Sequence, residues 1–285
     1  MTHINLDNLK TWVGRTQVAE ASITRPMVAS YRSTLAPYLH EVECGALPGI
    51  HWCLAPDPAN ASMADLGADG HPKTGGFLPP VPLPRRMWAG GEIEFLETLP
   101  VDEPITRKST ITDVQQKKGR SGLLCFVTVV HELSSHGQTG IRERQDIVYR
   151  DAVASERAPQ ASDGGHPVLP ADLEWQIETP PPLLFRYSAL TFNAHRIHYD
   201  LPYTQNEEGY SGLVVQGPLQ ASFLLNLASE YLGRVPDRFV YRGQSPLIAG
   251  KPLRAAVKRQ ADGSLECWTQ DHEGRVNMKA TAQCQ

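Results

Sequence analysis

Val214-Val-Gln-Gly-Pro218-Leu-Gln-Ala-Ser-Phe223-Leu-Leu-Asn-Leu-Ala228-Ser-Glu-Tyr-Leu232-Gly233 is the stretch on which the fold turns. Pro218 suits the start of a helix, where its missing N–H costs nothing, and Gly233 suits the stop. Between them Leu219, Phe223, Leu224, Leu225, Leu227, Ala228, Tyr231 and Leu232 leave little polar surface. A helix that is apolar on most sides is buried on most sides. The spacing predicts one buried helix over 218–232, with other elements wrapped around it.

Strand patterns flank it on both sides. Downstream come Phe239–Arg242, Pro252–Arg259, Leu265–Gln270 and Arg275–Gln283. Upstream, Gly90–Leu96 alternates, Pro104–Val114 follows, Leu123–Val130 is an apolar run of strand length, and Gly140–Arg150 alternates again. The two sets rhyme. Pro104-Ile-Thr-Arg resembles Pro252-Leu-Arg-Ala, Gly122-Leu-Leu-Cys resembles Gly263-Ser-Leu-Glu-Cys, and His136-Gly137 resembles His272-Glu-Gly274. Their common order predicts two copies of one unit, though ordinary hairpin chemistry would also produce such matches. A buried helix wrapped by a curved antiparallel sheet is the hotdog architecture. The expected fold is therefore α+β, a double hotdog: two curved antiparallel sheets, each around a central helix. The expected organisation is a degenerate first half over 1–151 that contributes to the pocket, a linker over 152–170 rich in Ala, Ser, Asp, Gly and Pro, and a catalytic second half over 171–285. Residues 4–40 read as mainly helical, and the Pro/Gly-dense run 44–86 reads as a lid, a pocket wall or a surface excursion.

Composition narrows the function. The chain has 285 residues, 41% of them apolar, which suffices for a core. A net charge of −4 argues against a general nucleic-acid binder. No apolar run is long enough to span a membrane. The start of the sequence has no secretory pattern, and the 5 cysteines are scattered without a Cys-x-x-Cys. The expectation is a cytoplasmic protein with reduced thiols.

Chemistry is concentrated in Ser188-Ala-Leu-Thr-Phe-Asn193-Ala-His195-Arg196-Ile-His198-Tyr-Asp200. Two imidazoles are interleaved with apolar residues that hold the segment against a core. A loop carrying histidine next to a helix N-terminus combines a proton-transfer group with an anion-stabilising one.

This segment resembles the MaoC-type, hydratase-2 branch of hotdog proteins, whose loop reads Asp-x-Asn-Pro-x-His; Asn193-Ala-His195-Arg196-Ile197-His198 keeps the final histidine at the same spacing. The longer string from Phe185 to Asp200, with Pro84-Arg-Arg-Met-Trp-Ala-Gly-Gly91, is similar to the two-domain hydroxyacyl-thioester dehydratases, and within them to mesaconyl-C4-CoA and itaconyl-CoA hydratases. The resemblance implies reversible hydration of a 2-enoyl-CoA, with His198 as acid/base and Asn193 positioning water. The Gly217 N–H would serve as oxyanion hole. No metal or redox cofactor is implied, and CoA arrives as part of the substrate. The usual aspartate is Asn193 here, and an amide takes no proton, so the burden falls on His198. His198 has a structural alternative, as do His195 (loop support or substrate contact) and Asp200 (local capping).

Arg85, Arg86, Trp88, Arg186, His195 and Arg196 are the expected substrate contacts, the arginines binding a distal carboxylate or the CoA phosphates. The expected acyl group is short, branched and dicarboxylic. Rival readings are a straight-chain 3-hydroxyacyl-thioester dehydratase, a thioesterase, a non-catalytic acyl-thioester binder, and a zinc hydrolase built on His195-x-x-His198. The last lacks a His-Glu-x-x-His motif. The expected partners are the acyl-CoA and a second copy of the chain, with neither nucleic acid nor membrane.

Overall fold

A computed structural model describes residues 4–54, 62–119, 122–151 and 166–284. Most of the expected linker, 152–165, lies outside the described residues. The strands are β1 (Thr16–Ala21), β2 (Arg85–Phe95), β3 (Ile105–Gly119), β4 (Gly122–Ser135), β5 (Gln138–Arg150), β6 (Leu173–Ile177), β7 (Arg238–Gly243), β8 (Leu253–Arg259), β9 (Leu265–Gln270) and β10 (Val276–Gln283). They form one 10-stranded antiparallel sheet in the order β1-β3-β4-β5-β2-β7-β10-β9-β8-β6. Read outward from the middle, β2-β5-β4-β3-β1 and β7-β10-β9-β8-β6 are the same sequence of roles. The fold is a double hotdog, as expected, with its two sheets fused edge to edge so that each protects the other's edge; the central helix expected in each half is found, among the described residues, in the second half alone.

Glycine makes the seam. Gly91 faces Tyr241 across β2 and β7. A Cβ on Gly91 would lie 2.3 Å from the Tyr241 hydroxyl, and one on Gly90 would lie 2.6 Å from the Tyr241 carbonyl oxygen. Only residues without a side chain let the Tyr241 ring cross there. The rhymed motifs also fall at matching places: Pro104 and Pro252 precede β3 and β8, and Cys125 and Cys267 are buried on β4 and β9.

The helices are α1 (Leu6–Lys10), α2 (Arg25–Leu35), α3 (Pro181–Leu190), α4 (Leu201–Asn206) and α5 (Gly217–Leu232). In α5 every residue from Leu219 to Ser229 is buried, and the helix packs on β8, β9 and β10. Its polar residues are partnered. Gln220 accepts from Thr269 at 2.9 Å, and Asn226 donates to the Pro48 carbonyl at 3.1 Å.

Two expectations change. Residues 4–40 are not mainly helical, because β1 lies among them, its hydrogen bonds supplied by β3 some ninety residues away. Helix α2 starts at Arg25, with Thr24 capping the Met27 N–H, and ends at Leu35, because Pro37 has no N–H to continue the ladder. Helix α3 was hidden behind Pro180-Pro181-Pro182, a run that reads as a breaker and instead opens a helix.

The first half differs from the second in its filling. Among the described residues, no helix of α5's length stands between α2 and β2. That place holds the Pro/Gly-rich segment with 3-10 turns at Ile50–Cys53 and Met63–Asp65. Along the inward face of β3, β4 and β5, Ile105, Leu133 and Ile141 join the main core, while Ile111, Val127 and Tyr149 join a second cluster. Between the two clusters lies a polar band of Arg107, Ser109, His131, Glu143 and Gln145.

Candidate active site

His198 sits in a 3-10 turn, Arg196–His198, and is 6% exposed. Its Nδ1 lies 2.7 Å from the Val214 carbonyl oxygen. A carbonyl can only accept, so Nδ1 carries the proton and Nε2 keeps its lone pair. The Val214 N–H returns a bond to the Ile197 carbonyl at 2.9 Å. This strap ties the histidine turn to the segment that enters α5 three residues later. Burial, and then the nearby imidazoles of His195 and His71, hold His198 down to about 3. It is therefore a neutral base at physiological pH.

Asn193 is positioned by a left-handed turn. Phe192 has φ 49°, a conformation non-glycine residues seldom adopt, and it returns the Asn193 N–H to the Ser188 carbonyl at 2.8 Å. The Asn193 Oδ1 accepts from the His195 N–H at 3.0 Å. That leaves its amide NH₂ as a donor toward a cavity of about 170 Å³, which Asn193 lines together with Pro218, Trp88, Trp52 and Glu143.

Gly217 opens α5, in the first turn, where N–H groups have no intrahelical acceptor. Trp88 lies on it: a Cβ at Gly217 would come within 2.7 Å of the indole. The indole also stacks on Tyr241, with centroids 4.3 Å apart and planes at 18°. Trp88 is thus a wall between the halves, beside the helix N-terminus.

His195 is buried and faces the first half. Its ring centroid is 4.2 Å from that of His71, and its Nε2 is 4.0 Å from Glu208. Asp69, His71 and His195 bring ligand-type atoms within 4.8 Å of one another. A cation there would meet the charge of Arg86, which acts on both Asp69 and His71. Burial works to raise the Glu208 carboxyl, but the His195 hydrogen bond and the Arg85 charge outweigh it and hold it low.

The four expected arginines each have partners within the protein. Arg85 is paired with Glu208 and donates to the Glu207 carbonyl. Arg86 interacts with Tyr149 and Asp69. Arg196 is clamped by Asp200 at 2.8 Å and donates to the Ala68 carbonyl. Arg186 is exposed and donates to the Ser33 carbonyl at 3.4 Å. None of the four lines the cavity beside Asn193. Asp200 caps α4 through the Tyr203 N–H and holds Arg196, the local role.

The arginine that does line the cavity is Arg107, together with Gln145 and His51. A signal for it was present in the sequence. Ile105, Arg107, Ser109 and Ile111 alternate on one strand, so the guanidinium shares a face with two core isoleucines.

The family model of hydroxyacyl-thioester dehydratase type 2 matches residues 49–249. The chain belongs to this family. It is a hydro-lyase acting on acyl thioesters. Over 274 residues it is 40% identical to the mesaconyl-C4-CoA hydratase of Chloroflexus aurantiacus, covering 95% of this chain and 96% of that one. Among solved structures it is similar to HtdX of Mycobacterium tuberculosis, with a TM-score of 0.68 at 17% identity over 95% of this chain and 100% of that one. A second protein of that organism, described as a double hotdog, gives 0.56 at 11% identity, covering 95% and 96% of the two chains. At those identities the likeness is one of fold. No helix among the described residues is long and apolar enough to cross a membrane.

Proposed function

We propose that this dehydratase-family protein hydrates a short, branched, dicarboxylic enoyl-CoA, the conjugated mesaconyl-C4-CoA or its unconjugated isomer itaconyl-CoA, to citramalyl-CoA, and catalyses the reverse dehydration. The observation that carries the chemistry is the fixed tautomer of His198, whose Nδ1–H is strapped to the Val214 carbonyl just before α5 and whose Nε2 keeps its lone pair.

In the conjugated substrate, the Asn193 amide orients a water and His198 Nε2 takes one of its protons. The oxygen bonds to Cβ. The double-bond electrons move to Cα and onto the thioester oxygen, which accepts from the Gly217 N–H. The proton on Nε2 then goes to Cα, so the water is fully consumed and the imidazole is neutral again. His195 supports the turn, bonded through its backbone to Asn193. Trp88 walls the acyl group, and the first half contributes the rest of the pocket. No metal or redox cofactor takes part. The reading places the protein in the cytoplasm, in itaconate breakdown, as a homo-oligomer.

The size of the cavity and the relative from Chloroflexus both support a small acyl group. About 170 Å³ falls below the ~300–1,000 Å³ that drug-sized ligands need. The test is hydration assayed against mesaconyl-C4-CoA, itaconyl-CoA, crotonyl-CoA and a long-chain 2-enoyl-CoA. A dicarboxylate preference of at least ~10-fold in kcat/KM is expected, about 1.4 kcal/mol of discrimination. A preference for the long chain would make this a fatty-acyl dehydratase.

A further inference from the structure

We infer that Arg107, on β3 of the first half, receives the second carboxylate of the acyl group, with Gln145 and His51 beside it. This rests on the dicarboxylic substrate proposed above.

The first ground is position. With Pro104 matched to Pro252, Arg107 and Ser109 stand where the second half has Ala255 and Val257, both fully buried in the core that holds α5. A charge occupies a place that the fold otherwise fills with methyl groups.

A second ground is the state of the guanidinium. One nitrogen, Nη1, donates to the Leu54 carbonyl at 2.6 Å, and the other, Nη2, lies 3.3 Å from Nδ1 of His131. Burial lowers the basicity of Arg107, the Glu143 charge offsets this only in part, and no carboxylate oxygen among the described residues lies within salt-bridge distance of the guanidinium. A buried charge so incompletely paired is costly, and a guanidinium has more donors than these two contacts use. Close by, His51 is 4% exposed, lines the same cavity, and has no hydrogen-bond partner at Nε2. Two polar side chains are thus built into a buried wall with capacity unspent.

Third is the connection to the chemistry. Arg107 and Gln145 line the cavity that Asn193 and Pro218 also line, and they line a second cavity of about 200 Å³ behind it as well. In mesaconyl-C4-CoA the second carboxylate is carried by Cβ, the carbon that water attacks. Its receptor must therefore share the reacting cavity, as Arg107 does and Arg85, Arg186 and Arg196 do not. Glu143 is the anion already on that wall. Its Oε1 is held at 2.8 Å by both the Trp52 indole N–H and the Tyr241 hydroxyl, and burial raises its carboxyl above the usual range.

The experiment compares the ratio of kcat/KM for mesaconyl-C4-CoA to that for crotonyl-CoA in the wild type and in Arg107→Gln. A fall in the ratio of at least ~30-fold is expected, the worth of a charge-assisted pair. A ratio within ~3-fold of wild type overturns the inference, including the case in which both substrates fall together because the wall has collapsed. Should Arg107→Gln not fold, Arg107→Lys is read on the same ratio. It keeps the charge and loses the planar fork, so a fall beyond ~3-fold supports the inference and an unchanged ratio overturns it. A wild type with no dicarboxylate preference defeats the substrate reading itself. A wild type with the preference and an Arg107→Gln that keeps it defeats only the role of Arg107.

Discussion

Among the described residues, the second half of the molecule is filled by a helix and the first half is not. Under α5, the inward residues of β8 and β10 are Leu253, Ala255, Val257, Met278, Ala280 and Ala282, small or apolar and buried. The matching face of the first half carries Arg107, Ser109, His131, Glu143 and Gln145, with cavities against it. One strand order thus supports two interiors. The helix supplies both a core and an N-terminus aimed at the site. Where no such helix fills the sheet, a short turn carrying His51 and Trp52 seats against it and leaves room for a ligand. The difference in filling is what the proposed division into a chemistry half and a recognition half rests on.

The largest effect should come from the chemistry half. His198→Ala is expected to lower kcat by ~10²–10⁴ with the melting temperature nearly kept. Near-normal turnover would move the proton transfer elsewhere and break the division of labour.

Packing should follow the same contrast. Leu224 is fully buried in α5, and Leu224→Ala should cost ~2–5 kcal/mol in denaturant unfolding. Leu78 is half-buried against the first half's second cavity, and Leu78→Ala should cost less than ~1 kcal/mol, since space is already present there. Equal costs would mean that the two halves are filled alike.

Acid should probe the polar face. Burial holds His51 and His198 down to about 3, and His131 well below its usual value, so all three are neutral in the native state. In the unfolded chain they titrate near ~6.5. As pH falls below ~6.5 the unfolded state binds protons that the native state cannot, so stability is lost, by roughly 1 kcal/mol per histidine between pH ~6.5 and ~5.5. Glu143, raised by burial, works in the opposite sense as it takes up its proton. Melting temperatures measured from pH 7.5 down to 5 should fall; a flat profile would show these imidazoles to be hydrated.

The smallest effect is expected at Arg186. Exposed and remote from both cavities, Arg186→Ala should change stability by no more than ~0.5 kcal/mol. Activity against mesaconyl-C4-CoA should stay within about twofold, and a larger loss would return this arginine to the substrate.

Elements whose signals are local could be read from the residues alone. The apolar run after Pro218 was legible as the buried helix, and Phe239–Gln283 and Gly90–Arg150 were legible as strands, because side-chain periodicity is set within a few residues. The motif ending in His198 was legible because its spacing is local too. Features that depend on distant parts of the chain were set by packing. Strand β1 exists because β3 gives its backbone partners, and nothing within Thr16–Ala21 supplies them. The tautomer of His198 depends on a carbonyl at Val214, brought back by the strap. The direction of each arginine was decided in the same way. Arg85 and Arg196 looked like substrate ligands in the sequence, yet Glu208 and Asp200 already hold them, while Arg107, carried inward by the pleat of β3, was left facing the cavity. A guanidinium on a long flexible stem takes its direction from whichever anion or carbonyl the fold brings near, and that neighbour is fixed by packing, not by its place along the chain.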